Sequence, residues 1–215
     1  APFPNQSGFF MTLVGLPGSG KSSLLMNMMS KQKRKSNNIY YKVFADITYV
    51  CPVASRSSIV GNPLEELSDD SKHERLSYYI LQQIQDRKRD YEGKKKQQLL
   101  IVDDCASFMK DVENVSILNE LSMNRRHLNL NIILLFQYTV SLPKSVRSQV
   151  SHTILWKPAS SDNNTIRTEF LDSMSRPEYN RLINFVFKEK HDFLVIDRSQ
   201  NTLFRNFQQI RVHTR

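Results

Sequence analysis

Eight consecutive residues near the start of the sequence have the types and spacing of a phosphate-binding loop. Residues 15–22 read Gly-Leu-Pro-Gly-Ser-Gly-Lys-Ser, which matches the P-loop pattern G-x-x-x-x-G-K-[ST] at every fixed position. The glycines permit a tight turn whose backbone N–H groups converge on phosphate oxygens. Lys21 would bring a positive charge to the β- and γ-phosphates, and the Ser22 hydroxyl would be a magnesium ligand. The residues predicted to bind nucleotide are those of the loop and the serine after it: Gly15, Pro17, Gly18, Ser19, Gly20, Lys21, Ser22 and Ser23.

Two acidic residues follow a second apolar segment. Residues 99–102, Leu-Leu-Ile-Val, are typical of a short strand buried in a parallel sheet, and Asp103 and Asp104 come directly after it. This is the Walker B arrangement, in which Asp103 would hold magnesium together with Ser22. Asp104 is predicted to orient the water that attacks the γ-phosphate, or to accept its proton. The alternative is that both aspartates simply end a strand where it meets solvent.

Further side chains are candidates for contacts with the γ-phosphate. Gln137 follows the apolar run 132–136, and its amide can donate to phosphate and accept from water if that strand lies between the P-loop and Walker B strands. Arg125, Arg126 and Arg147 are candidates for an arginine finger, which stabilises charge on the transferring phosphoryl group. Arg125 shares the apolar stripe of its predicted helix, so we expect it to pack there. Arg126 and Arg147 therefore remain, although each could equally contact DNA phosphate or be a surface charge.

The elements that must carry these residues alternate between strand and helix. Apolar runs of strand type occupy residues 9–14, 39–44, 99–102, 132–136 and 152–156. Residues 193–196 and 203–207, separated by a turn at 199–201, form a predicted C-terminal β-hairpin. The alternation predicts an α/β fold with a central, mostly parallel sheet and helices on both faces. The length favours one domain over residues 1–215.

The predicted helices lie between these strands. Their apolar stripes are Leu24, Leu25 and Met28 in the first helix, Leu76, Ile80, Ile84 and Tyr91 in the second, and Ile117, Leu118, Leu121 and Leu128, together with Arg125, in the third. Residues 71–74 have the form of a capping box that would open the second helix, and Gly93 would end it. Two short helices are predicted after Asp162 and after Pro177.

The composition restricts the environment and the partners of the chain. Thirty Lys and Arg against 21 Asp and Glu give a net charge of +9, with basic clusters at 31–35 and 94–96. Such a balance suits a polyanion such as nucleic acid, although basic runs are also ordinary solvated faces. Two cysteines, Cys51 and Cys105, predict no disulfide framework and favour a reducing compartment. The histidines lack the spacing of a zinc site. The sequence contains no run of about 18 apolar residues, so it predicts no membrane span.

An ordered set of motifs narrows the choice of family. They are the paired aspartates after residues 99–102, Arg126-His127-Leu128-Asn129 running into the strand before Gln137, Leu142-Pro143 with Arg147 four residues past the proline, and the closing segments 191–197 and 204–207. In this order they resemble the poxvirus-type genome-packaging ATPases of large DNA viruses, giant viruses and virophages, within the FtsK–HerA group of P-loop motors. The resemblance covers most of the chain.

The resemblance implies a fold and an activity. The fold would be an FtsK–HerA-like P-loop NTPase core of the ASCE type, with the sensor strand inserted between the P-loop and Walker B strands. The activity would be hydrolysis of ATP with Mg²⁺ by a homo-oligomeric ring, pentamer or hexamer, that moves double-stranded DNA into a preformed capsid. An arginine, with Arg126 the first choice, would complete the site of the next subunit. Capsid vertex proteins would be further partners, at a viral assembly site in the host cytoplasm and in the virion.

Two other functions remain open from the residues alone. A phosphotransferase of the nucleoside-kinase type would need an acceptor pocket and a lid, for which Arg125 and Arg126 could supply charge. Asp104 and Gln137 instead favour water as the nucleophile. The other function is a structural virion component that binds nucleotide without turnover. A GTPase is disfavoured because the sequence has no [NT]-K-x-D motif for reading the base.

Overall fold

A nine-stranded sheet runs through the part of the chain that the computed structural model describes, residues 2–57, 59–90, 96–103 and 109–211. The strands are β1 (Phe10–Val14), β2 (Asp46–Val50), β3 (Lys72–His73), β4 (Gln98–Asp103), β5 (Leu130–Phe136), β6 (His152–Trp156), β7 (Phe193–Asp197), β8 (Thr202–Arg205) and β9 (Gln208–Ile210). Their order across the sheet is β3-β2-β4-β5-β1-β6-β7-β8-β9. The strands from β3 to β6 in this order are parallel, and β7, β8 and β9 are antiparallel. The predicted position of the sensor strand, between the P-loop and Walker B strands, is confirmed.

Helices connect the strands and cover the sheet. They are α1 (Lys21–Met29), α2 (Val53–Ser57), α3 (Tyr78–Asp90), α4 (Val112–Asn124), α5 (Lys144–Arg147), α6 (Asn163–Glu169) and α7 (Arg176–Val186). The two short helices predicted after Asp162 and Pro177 are confirmed as α6 and α7. A capping box between Ser175 and Glu178 opens α7, and Pro177 lies in its first turn. In the described ranges, no helix has both the length and the apolar character needed to cross a membrane.

Apolar side chains pack on both faces of the sheet, because successive residues of a strand point to opposite faces. On one face, Leu100 belongs to a buried cluster with Leu118 of α4 and Leu182 of α7. On the other face, Leu99 belongs to a second cluster with Leu25 of α1. The strands between these layers are therefore largely apolar, as buried parallel strands are. The predicted α/β architecture, with helices on both faces, is confirmed.

The strand predicted at 39–44 is wrong. This segment forms turns, with Lys42 in the left-handed region at a φ of 55°, and the strand of the sheet begins only at Asp46. Tyr40 and Phe44 are buried because their rings pack against Phe9, with centroid distances of 5.5 and 6.4 Å. Their apolar character thus reflects a packing contact with another segment, which a local strand pattern imitates.

The capping box predicted at 71–74 is also wrong. Lys72 and His73 form β3, which pairs in parallel with the end of β2. The helix begins later, at Tyr78, and Leu76 is buried ahead of it. The polar residues that resemble a helix cap therefore form the edge strand of the sheet. The predicted end of this helix at Gly93, together with Tyr91, lies outside the described residues.

The helix before β5 ends earlier than its apolar stripe predicts. The last helical residue is Asn124, and a turn follows in which Asn129 has a φ of 48°. Leu128 is nevertheless buried, so it packs from the turn. Arg125 is half-buried, and its Nε donates to Gly8 O at 2.7 Å and its Nη1 to Ser122 O. Arg125 therefore packs at the base of its helix, as expected.

Candidate nucleotide-binding site

The loop between β1 and α1 turns sharply at the carboxyl edge of the sheet, that is, at the carboxyl ends of its parallel strands. Gly18 and Gly20 have φ values of +73° and +108°, in the left-handed region that favours glycine. A Cβ on Gly15 would lie 2.8 Å from both Ser19 Oγ and Trp156 Cβ, so a larger residue would displace the loop. The three glycines of the motif therefore each meet a backbone requirement of this turn.

The polar groups of the loop suit an anion. Lys21 Nζ donates hydrogen bonds to Gly15 O at 2.6 Å and Leu16 O at 3.2 Å, which places the ammonium against the loop. Ser19 Oγ is buried and has no hydrogen-bond partner among the described residues. A buried hydroxyl without a partner costs about 1–3 kcal/mol, and a phosphate oxygen would satisfy it. These features fit the predicted phosphate-binding role, which stays a prediction for each residue.

The end of β4 brings a carboxylate to the start of α1. Ser22 Oγ donates to Asp103 Oδ2 at 3.1 Å, and Asp103 is buried. Oxygen atoms of this kind are the ligands that Mg²⁺ prefers, with water and phosphate oxygens filling its other positions. Within the described ranges, no group of three or more His, Cys, Asp or Glu could hold a metal by itself. The pair therefore fits a magnesium ion that arrives with a nucleotide. Asp104, the predicted water-activating acid, lies outside the described residues.

One cavity of about 540 Å³ collects most of the predicted site. Its lining includes the predicted residues Pro17, Gly18, Gly20, Lys21, Ser22, Ser23, Asp103 and Gln137. Gln137 follows β5, and its side chain is exposed. Ser55, Ile59, Tyr138 and Ser141 also line this cavity. Sequence reasoning missed these four because they follow β2 or β5 without belonging to a phosphate-binding pattern.

The structure does not bring Arg147 into this cavity. Its guanidinium forms a bidentate pair with Glu169, with Nε to Oε2 and Nη2 to Oε1 both at 2.8 Å. Hydrogen bonding to Arg147 lowers the pKa of Glu169, and the positive charge acts in the same direction. A finger role for Arg147 stays a prediction, and it would require this pair to separate.

Arg126 lies at the opposite edge of the sheet from the P-loop. It precedes β5, which runs parallel to β1, whereas the P-loop follows β1. A strand of five to seven residues separates the two edges by roughly 15–23 Å. Arg126 is exposed, and its guanidinium makes no hydrogen bond or ion pair with the rest of the described chain. Arg126 therefore lies away from the nucleotide-binding cavity of its own chain.

One residue next to the P-loop was not predicted as part of the site. His191, in the loop before β7, has Nδ1 at 3.0 Å from Ser19 O. It is 172 positions from Ser19 in the sequence, and only the antiparallel pairing of β7 with β6 brings it there. No local pattern signals such a contact.

The chain matches one protein family over nearly its whole length. A model of the family described as poxvirus A32 protein matches residues 5–211. A search of curated protein sequences returned no match.

Several solved structures share the fold. The genome packaging NTPase B204 from Sulfolobus turreted icosahedral virus 2, in complex with ATP-gammaS, is similar with a TM-score of 0.63 and 17% identity, over 94% of this chain and 98% of that one. B204, the DNA-packaging ATPase from Sulfolobus turreted icosahedral virus, has a TM-score of 0.63 and 15% identity, over 96% and 99% of the two chains. The cytoplasmic domain of the type VII secretion ATPase EccC from Thermomonospora curvata has a TM-score of 0.58 and 13% identity, over 91% of this chain and 25% of that one. At such identities these likenesses establish the fold.

Proposed function

The chain belongs to the poxvirus A32 protein family, and we propose that it is an ATPase that moves double-stranded DNA into a preformed viral capsid. One observation carries the proposal. Lys21, Ser22, Asp103 and Gln137 come from three separate segments, yet all line one cavity at the carboxyl ends of β1, β4 and β5. The descriptions of both B204 proteins, as genome or DNA packaging enzymes, support the choice of process.

In the proposed reaction, a water oxygen attacks the γ-phosphorus of ATP. The bond between that phosphorus and the β–γ bridging oxygen breaks, which gives ADP and phosphate. Backbone N–H groups of the P-loop and the ammonium of Lys21 would hold the β- and γ-phosphates. Ser22 and Asp103 would hold Mg²⁺, which neutralises charge on the phosphate oxygens when bound. Asp104 would take the proton of the attacking water, and the Gln137 amide would orient that water.

A neighbouring subunit would complete the site. We assign the arginine finger to Arg126 because its guanidinium is exposed, whereas Arg147 would have to give up two charge-assisted hydrogen bonds to Glu169. Because Arg126 lies at the edge opposite its own P-loop, the assignment requires subunits that pack amino edge to carboxyl edge. A heterologous contact gives a ring when its rotation closes, and we propose such a ring, a pentamer or hexamer of the domain spanning residues 1–215.

The charge of the chain supports a polyanionic substrate. The net charge is +9, and the segment after α1 exposes a basic cluster of Lys31, Lys33, Arg34 and Lys35. Double-stranded DNA attracts such surfaces through release of its counterions. Capsid vertex proteins and a site of action in the host cytoplasm, with passage into the virion, complete the proposal.

The test is ATP hydrolysis by the full chain with and without long duplex DNA, beside a mass measurement in Mg²⁺ and ATPγS. We expect duplex DNA to raise the hydrolysis rate and the analogue to favour a ring mass. A hydrolysis rate that ignores DNA, from a chain that stays monomeric in every nucleotide state, would contradict the motor. Bound ATP that is never turned over would favour a structural virion component, and a phosphorylated small-molecule product would favour a phosphotransferase.

A further inference from the structure

The contact between His191 and the P-loop fixes the direction of one hydrogen bond. His191 Nδ1 lies 3.0 Å from Ser19 O, and a carbonyl oxygen can only accept. Nδ1 must therefore carry the proton in this contact. The histidine side chain is exposed, so the hydrogen bond does not serve to bury the ring.

This hydrogen bond orients the next backbone amide. A trans peptide is planar, and its C=O and N–H point in opposite directions. Since the Ser19 carbonyl points at His191, the N–H of Gly20 points away from the histidine. Gly20 lines the same cavity as Lys21 and Asp103, and its N–H forms no hydrogen bond with another described residue. The amide is therefore available to an anion in that cavity.

The residue after His191 anchors the histidine. Asp192 is buried, and its carboxylate accepts hydrogen bonds from Lys188 N, Glu189 N and the Asn206 amide at 2.8–3.0 Å. Arg205 Nη2 lies 3.1 Å from the same carboxylate. These contacts hold the pKa of Asp192 well below its usual range, with the hydrogen bond from Asn206 as the largest cause. The loop that presents His191 is thus fixed to the turn between β8 and β9.

We propose that His191 is a positioning residue for nucleotide binding. Its Nδ1–H holds the peptide between Ser19 and Gly20 so that the Gly20 N–H faces the phosphates of the nucleotide. The C-terminal strands support it through Asp192, which gives these strands a role at the P-loop. This inference rests on the proposed function, because it needs a triphosphate in the cavity.

The test compares side chains that keep or remove the donor. His191→Leu removes it, whereas His191→Asn places a side-chain N–H close to the position of Nδ1. Asn184→Leu, at an exposed site on α7, makes the same polar-to-apolar change away from the P-loop. Each full-length variant is titrated with ATPγS in Mg²⁺, and KM and kcat for ATP are measured.

We expect His191→Leu to weaken ATPγS binding roughly 5- to 10-fold and to raise KM more than it lowers kcat, since one hydrogen bond is lost. His191→Asn should bind within about twofold of the wild type, and Asn184→Leu should be unchanged. A general loss of folding would lower the number of sites without changing their affinity. If the leucine variant melts early, His191→Ala removes the donor without adding apolar surface.

The binding results distinguish failure of the His191 role from failure of the proposed function. If the wild type does not bind ATPγS, the proposed function fails, and this inference fails with it. If the wild type binds and His191→Leu binds equally well, the inference alone is overturned. Equal losses in the leucine and asparagine variants would also overturn it, because the donor would then not be the feature that matters.

Discussion

Polar side chains differ between the two ends of the parallel strands, which we call the amino edge and the carboxyl edge of the sheet. At the amino edge, Asn131 is fully buried and makes four hydrogen bonds, accepting two from the segment before β1 and donating two to the segment at the start of β4. At the carboxyl edge, Ser19 Oγ is buried without a partner in the described chain, and Gln137 is exposed at the cavity. Three buried polar atoms at the amino edge also lack a described partner, namely Ser7 Oγ, Asp46 Oδ2 and Gln98 Nε2. The two edges therefore differ in the Asn131 network and in the P-loop, and not in every polar group.

Cavity size does not distinguish the two edges in the same way. The amino-edge cavity is the larger, at about 800 Å³ against about 540 Å³. Two of the basic side chains in its lining are already paired: Arg125 donates to two backbone carbonyls, and His152 lies 3.3 Å from Asp197. Burial lowers the pKa of His152 although Asp197 acts in the opposite direction. The Lys21 ammonium and the Ser22–Asp103 pair, rather than volume, mark the candidate site. Arg126 is one of the exposed cations of the amino edge, which agrees with its proposed action on another subunit.

The largest expected effect is on catalysis at the carboxyl edge. Lys21→Ala should lower ATP hydrolysis without DNA on the order of 100-fold or more, because the charge on the transferring phosphate loses its nearest cation. The unfolding free energy should fall by only about 1 kcal/mol, from loss of the hydrogen bonds to Gly15 O and Leu16 O. Lys88→Ala, at an exposed site on α3, is the matched control and should keep wild-type hydrolysis. Equal hydrolysis rates in Lys21→Ala and the wild type would mean that ATP is not hydrolysed at the carboxyl edge.

The next effect is on stability at the amino edge. Asn131→Leu has a similar side-chain size but leaves the backbone N–H groups of Gly8 and Phe9 without their partner. We expect a loss of about 3 kcal/mol in unfolding free energy, measured by urea denaturation. Affinity for ATPγS in the folded state should stay within about twofold. Wild-type stability in this variant would show that the amino-edge network is not what completes the fold.

A smaller effect separates binding from turnover. Gln137→Leu should lower kcat roughly 10-fold while ATPγS binding stays near that of the wild type, since the amide would act on water and the γ-phosphate during reaction. The same substitution at exposed Gln200, beside the amino-edge cavity, should leave kcat unchanged. A similar loss of kcat in both variants would mean that the effect is not specific to the carboxyl edge.

The smallest effect concerns Glu169, which pairs with Arg147. The folded-state pKa of Glu169 is lowered, so its stabilising contribution is complete above the unfolded pKa and is lost as the pH falls through the folded value. Glu169→Gln should therefore cost about 0.5 kcal/mol near neutral pH, a modest figure because the pair is partly solvated. The difference from the wild type should shrink as the pH is lowered toward 3. The check is urea denaturation at several pH values. If the difference in unfolding free energy between the variant and the wild type stays constant down to pH 3, the ion pair is not its cause.

Local sequence motifs were enough to predict much of the fold and part of the site. The P-loop could be predicted from its glycines, Lys21 and Ser22. The strands before Asp103 and Gln137 could be predicted because each is a short apolar run followed by a polar residue. The strand predicted at 39–44 failed because Tyr40 and Phe44 are apolar for a contact with Phe9, which no local period encodes. The contact of His191 with Ser19 could not be predicted because it depends on the order of strands across the sheet.

The most direct test of the central claim is a crystal structure of the full chain with Mg²⁺ and ATPγS. We expect density for the three phosphates inside the P-loop, against the Gly20 N–H and Lys21 Nζ, with the metal beside Ser22 and Asp103. Phosphates found instead in the amino-edge cavity beside Arg125 and His152, with the P-loop empty, would contradict it.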